Sequence, residues 1–164
     1  IERGDSGFRR QGNSAVDVDP LLHGVMIRAF WTVPSMILGI GLDLCETGRL
    51  QRAMARAAFV RRVFSPAEIA CCEKRRDRLL CYAARFAAKE AYFKAIGTGW
   101  GRGVTWLDVE VASDGEGPPR LLVSGEARRV ARALGVSAAH LSLTHSGAYA
   151  AAVVVVEGTR RRSK

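Results

Sequence analysis

The chain has 164 residues, 48% hydrophobic and 25% charged, which suits one soluble domain large enough for a real core. Twenty-five Lys and Arg against sixteen Asp and Glu give a net charge of +9. That excess points to an anionic partner: nucleic acid, an acidic protein or a phosphorylated small molecule. The stretch Val25–Leu44 is interrupted by Arg28, Pro34, Gly39, Gly41 and Asp43, so no membrane span is expected, and the charged amino-terminal stretch does not resemble a signal peptide.

Residues 1–35 lack periodicity, balance four acids against four bases, and begin with Ile. They read as a poorly ordered extension, translated from upstream of a start at Met36. Residues 36–157 form the single domain, and residues 158–164 form a basic tail with Arg160, Arg161, Arg162 and Lys164. Cys45, Cys71, Cys72 and Cys81 make no C-x-x-C pair; Cys71 and Cys72 are too close in sequence to bridge each other. Four thiols without a framework suit a reducing, cytoplasmic compartment and are expected to be small buried hydrophobes.

Ile37 to Leu44 reads as a strand, its alternation placing Leu38, Ile40, Leu42 and Leu44 on one face and Ile37, Gly39, Gly41 and Asp43 on the other. Two glycines beside an acid leave room either for a ligand or for a closely packed helix. A helix follows near 46–57, with Arg49, Arg52 and Arg56 as a basic stripe and Arg61 and Arg62 soon after. Such a stripe is either a solvated face or a docking surface for an acidic protein. Ser65-Pro66-Ala67-Glu68 is a capping box that starts the next helix.

A long helix is predicted over 77–96, closed by Gly97 in the left-handed conformation. At 100° per residue, Leu79, Ala83, Phe86 and Phe93 lie within about 60° of Glu90, which therefore projects from the apolar face. A carboxylate there needs a partner: Lys94 one turn on, or a metal ion. In the second case, with Asp43 from the first strand, it would form the usual protein share of a Mg²⁺ site. Gly97-Thr98-Gly99 opens a loop with four glycines in seven residues. Its backbone N–H groups, with Arg85, Lys89 and Lys94, form either a phosphate cradle or an ordinary glycine-rich turn beside a solvated basic face.

Short strands at 107–111 and 120–123, a helix from Ser124 to Gly135, and strands at 140–144 and 149–156 complete the order β-α-α-α-β-β-α-β-β. This is an α+β domain with a largely antiparallel sheet on a long helix. His145 ends the strand that begins at His140, a position from which a side chain can reach a pocket rim. Trp31, Trp100 and Trp106 are scattered, so no stacking platform for nucleic acid is expected. A magnesium-dependent nucleotide hydrolase or other phosphoryl transferase using the same acids is the remaining alternative.

Together, Ile37-Leu-Gly-Ile-Gly-Leu-Asp43 with Arg49, Arg85-Phe-Ala-Ala-Lys-Glu-Ala91, Lys94-Ala-Ile-Gly-Thr-Gly99, and Leu141-Ser-Leu-Thr-His145 with Tyr149-Ala150 resemble the holo-[acyl-carrier-protein] synthase family of small 4'-phosphopantetheinyl transferases. The resemblance runs from Met36 to Glu157. It implies the family fold and transfer of the phosphopantetheine arm of coenzyme A to a serine of apo acyl carrier protein, in fatty-acid or polyketide assembly. It also implies Mg²⁺ held by Asp43 and Glu90. Coenzyme A would contact Arg85, Lys89, Lys94, Gly97, Thr98, Gly99 and His145, and the carrier would dock on Arg49, Arg52 and Arg56. Glu90, directly or through a water it orients, is the expected base, with His145 the second choice and Lys94 a second positive centre. Family members form trimers with active sites between subunits, so a homotrimer is expected.

Overall fold

A computed structural model describes residues 35–99, 101, 103–113 and 117–159. The expected extension, apart from Ser35, and most of the basic tail lie outside these residues.

Strand β1 (Met36–Glu46) leads into helices α1 (Thr47–Met54), α2 (Ala57–Val63), α3 (Pro66–Glu73) and α4 (Arg78–Ala95). A 3-10 turn (Trp106–Asp108) precedes β2 (Val109–Ala112) and β3 (Arg120–Val123); α5 (Gly125–Leu134), β4 (Val136–Ser146) and β5 (Tyr149–Gly158) follow. The α+β class and antiparallel pairing are as expected. A three-stranded sheet runs β1-β5-β4, and β2-β3 is a separate hairpin.

One expected element is two. The single helix near 46–57 ends at Met54, and Arg56 adopts an extended conformation (φ −93°, ψ 108°) as the N-cap of α2. The local sequence is strongly helix-forming. Either side of the break, α1 buries Leu50 and α2 buries Val63. The arginine stripe is thereby interrupted, because Arg56 sits in the bend rather than on α1.

α4 is the centre of the fold. Twelve of its eighteen residues are buried, on more sides than one apolar stripe provides. One side lies on the sheet, against Ala150, Ala152, Val154 and Val156 of β5. Gly39 and Gly41 face it from β1, and a Cβ on either would overlap the carbonyl oxygens of Ala95 and Ala91 respectively. The two glycines thus serve the closely packed helix, not a ligand. Gly97 takes φ +71° just beyond the helix end, as its sequence position implied.

β1 contains a bulge between Ile37 and Gly39. It reverses two positions of the simple alternation: Leu38 packs on the core, while Ile37 joins Ile40, Leu42 and Leu44 on the outside, each 60–61% exposed. The sheet face away from α4 therefore carries an open apolar row.

The cysteines depart from expectation. Cys72 in α3 and Cys81 in α4 are joined as a disulfide, leaving Cys45 and Cys71 free. Their separation of nine residues spans the turn between the two helices, a proximity that motif spacing did not reveal. No helix among the described residues is long and apolar enough to cross a membrane.

Candidate active site

Packing of α4 on β1 carries Asp43, two residues beyond Gly41, to the same place as Glu90, one residue before Ala91. Both line a cavity of about 560 Å³ with Leu44, Cys45, Glu46, Arg49, Leu50, Ala53, Phe59, Phe86 and Tyr149. The lining mixes three acids and Arg49 with apolar side chains. Thr47 fixes the start of α1 by donating its amide and hydroxyl to the Ala148 carbonyl at 2.8 and 3.0 Å, which holds Arg49 at the cavity.

Burial raises the pKa of Glu90 above the ordinary carboxylate range, and the charge of Asp43 raises it further, while Lys94 acts in the opposite direction. The direct partner of Lys94 is nevertheless Asp43. Its ammonium donates to Asp43 Oδ1 at 2.8 Å and to the Leu42 carbonyl at 2.9 Å. The i, i+4 pair with Glu90 expected from the helix is only electrostatic, because β1 offers Lys94 a closer acceptor. Lys94 stays half-exposed and has a third N–H for a bound anion.

Lys89, five residues earlier, is different. It is fully buried and donates to the Val63 carbonyl at 2.7 Å, the Trp106 carbonyl at 3.1 Å and Glu68 Oε2 at 2.7 Å. An ammonium has three N–H bonds, and all three have acceptors here, so Lys89 is not available to a phosphate. The sequence expectation for Lys89 is corrected on that ground.

Arg85 is also buried, donating to Cys81 Sγ at 2.8 Å and Cys71 Sγ at 3.2 Å, and does not line the acidic cavity. The Gly97, Thr98 and Gly99 amides donate inward, to Lys94 O at 3.1 Å and to Phe93 O at 3.1 and 3.4 Å. These bonds close the helix end and leave none of the three amides open as a phosphate cradle. His145 stands on β4, on the far side of β5 from β1, and is not among the cavity-lining residues. Arg52 and Arg56 are exposed, whereas Arg49 lines the cavity itself.

Sequence reasoning missed the apolar part of the site. Phe86 was legible only as core, and Phe59 carried no signal; in space Phe86 lies between Phe59 and Trp106, at centroid distances of 6.4 and 5.0 Å. Cys45 also lines the cavity, but burial, followed by the Asp43 charge, pushes its thiol up to about 11, so it is not a nucleophile at neutral pH.

Residues 39–154 match the model of the 4'-phosphopantetheinyl transferase superfamily. The chain belongs to this family. It is 54% identical over 129 residues to holo-[acyl-carrier-protein] synthase of Anaeromyxobacter dehalogenans (strain 2CP-1 / ATCC BAA-258), covering 76% of this chain and 98% of the relative. It is 49% identical over 124 residues to the protein of the same name from Solibacter usitatus, covering 74% and 99%. Among solved structures, it is similar to holo-(acyl-carrier-protein) synthase of Bacillus anthracis in complex with CoA (3',5'-ADP), with a TM-score of 0.63 and 37% identity over 76% of this chain and 99% of the other. The Helicobacter pylori synthase in complex with coenzyme A gives a TM-score of 0.62 and 29% identity over 71% and 98%. In this 4'-phosphopantetheinyl transferase superfamily member, the matched span contains both cavity acids and Lys94.

Proposed function

We propose that the chain transfers the 4'-phosphopantetheine arm of coenzyme A to a serine of apo acyl carrier protein, giving the holo carrier and adenosine 3',5'-bisphosphate. The observation that carries this reading is the meeting of Asp43 and Glu90 on one cavity, with Lys94 beside them, in a chain of this family.

The donor chemistry fits a hard divalent ion. Two carboxylates from different elements share the cavity, and Glu90's raised proton affinity is what a neighbouring cation would relieve. Among the described residues no group of three or more His, Cys, Asp or Glu is arranged to hold an ion, so phosphate oxygens and water would complete the six ligands that Mg²⁺ prefers. When bound, Mg²⁺ neutralises charge on the pyrophosphate and on the leaving group. Asp43 and Glu90 are the residues that would hold it.

The chain's own groups do the rest. The carrier serine oxygen forms a bond to the β-phosphorus, and the bond from that phosphorus to the bridging oxygen breaks, so the bridging oxygen leaves with the nucleotide. Lys94 directs its remaining N–H toward the negative charge that develops. Glu90, directly or through a water it orients, accepts the serine proton. Arg49 at the cavity, with Arg52 and Arg56 outside it, receives the acidic carrier.

Assembly as a homotrimer completes the site, with His145 reaching the phosphates from a neighbouring copy. The open apolar row Ile37, Ile40, Leu42 and Leu44 supports an assembly, because exposed large side chains in a continuous row favour burial. We infer a cytoplasmic location from the coenzyme A substrate, because the Cys72–Cys81 disulfide removes the free-thiol argument for it. The deciding experiment incubates the protein with coenzyme A, Mg²⁺ and an apo carrier. The carrier should gain about 340 Da, as the composition of the arm dictates under this phosphoryl transfer; no gain overturns the reading.

A further inference from the structure

A buried ion pair among the described residues lies outside the reaction just described. Lys89 and Glu68 are both completely enclosed, and together they tie five pieces of chain to one point. Lys89, on α4, holds the last residue of α2 through the Val63 carbonyl and the 3-10 turn through the Trp106 carbonyl. Glu68, on α3, accepts from Lys89 and from the Ser65 amide at 2.8 Å through one oxygen, and from the Val111 amide of β2 at 2.9 Å through the other. As a capping residue Glu68 needs only the Ser65 contact. The remaining bonds have another consequence.

The two carbonyls that Lys89 holds belong to the elements on either side of Phe86. α2 carries Phe59, one turn before Val63, and the 3-10 turn carries Trp106. Phe86, three residues before Lys89 on α4, packs between them, stacked on Trp106 with an interplanar angle of 24° and tilted against Phe59. Phe59 and Phe86 are part of the apolar lining of the cavity that Asp43 and Glu90 also line. One ammonium therefore fixes the separation of α2 and the 3-10 turn, and with it the position of that lining.

We propose that Lys89, through Glu68, is a positioning residue for the transfer site: the pair clamps α2 and the Trp106 turn onto α4 so that Phe59 and Phe86 present a fixed apolar wall to coenzyme A. The inference rests on the phosphopantetheine-transfer reading. It assigns Lys89 no contact with substrate. A clamp of this kind affects how well substrate is seated more than how fast the bound substrate reacts, because Asp43, Glu90 and Lys94 are held separately by β1 and the sheet-facing side of α4.

The test is a double-mutant cycle between Lys89 and Phe59 on the full chain, read as KM and kcat for coenzyme A. Lys89→Arg keeps the charge, but its planar fork cannot meet three acceptors arranged for an ammonium. Folding, followed by far-UV circular dichroism and thermal melting, should persist. KM should rise about tenfold with kcat within about threefold, the pattern of lost uniform binding. Phe59→Ala should give a similar rise. The combined variant should be no worse than the more damaged single variant, because both remove the same wall.

Lys89→Met, which removes every donor, should move KM in the same direction; should it fail to fold, the arginine variant still decides. Unchanged KM in Lys89→Arg, or KM effects of Lys89→Arg and Phe59→Ala that multiply in the combined variant, overturn the proposal. Absence of transfer by the unaltered chain would instead overturn the functional reading on which it rests.

Discussion

Gly41 of β1 lies against the Ala91 carbonyl of α4, so closely that even a methyl group at position 41 would overlap it. This contact joins the two elements that supply the cavity acids. We predict that Gly41→Ala forces strand and helix apart, costing about 1–3 kcal/mol as for other overpacked cores. Transfer should fall further than the loss of folded protein explains. Thermal melting and activity, measured together, check both parts; wild-type activity would separate the acids' placement from this contact.

Glu90 is held in a costly state. Its folded pKa lies above that of an unfolded glutamate, so the folded chain binds the extra proton, and stability falls as pH rises from the unfolded value through the folded one. Glu90→Gln removes that penalty. We predict a Tm at pH 7 that is unchanged or higher than native, no loss of stability from this position as pH rises above the ordinary glutamate range, and a transfer rate lower by about 10²-fold or more.

Lys94 and Lys89 occupy one helix with opposite fates. Lys94→Ala should leave stability within about 1 kcal/mol, because Lys94 is half-exposed and water can solvate the ion pair in part. It should lower kcat/KM by about 10–100-fold by removing a charge-assisted contact to the phosphates. Lys89→Ala should instead lower stability by about 3–5 kcal/mol, the usual cost of stranding a buried partner charge. Urea denaturation distinguishes the two lysines.

Arg49 lines the cavity while Arg52 stands outside it, so the two should respond differently to charge reversal. Arg52→Glu should raise the KM for the carrier several-fold, an effect that shrinks with added salt, and leave coenzyme A affinity unchanged. Arg49→Glu should alter both constants. Steady-state kinetics at two ionic strengths checks this.

The open row on β1 gives a prediction about assembly. Leu42→Glu introduces a charge in the middle of that row without disturbing the core, since Leu42 is 61% exposed. Light scattering should then report a monomer in place of a trimer, with transfer lost and secondary structure retained.

Much of the fold was readable because its elements are locally coded. The capping box at Ser65, the glycine after α4 and the alternation in β1 each have a short-range physical cause. Long-range placements were not. Gly39 and Gly41 allowed either a ligand or a helix, and only the approach of α4 decided between them. Lys89 and Lys94 look equally suited to phosphate in one dimension; burial separates them, and burial depends on α2, α3 and the Trp106 turn together. The acids were legible because a carboxylate on an apolar helix face demands a partner, while the apolar wall was not, since Phe59 and Phe86 are indistinguishable in sequence from ordinary core.

The claim on which the account depends is that Asp43 and Glu90 bind coenzyme A through a shared Mg²⁺. Calorimetric titration of coenzyme A into the native chain and into Asp43→Asn, each with and without Mg²⁺, tests it without relying on turnover. Magnesium should tighten binding about tenfold or more in the native chain and have little effect in the variant. An equal magnesium effect in both would place the ion elsewhere and contradict the account.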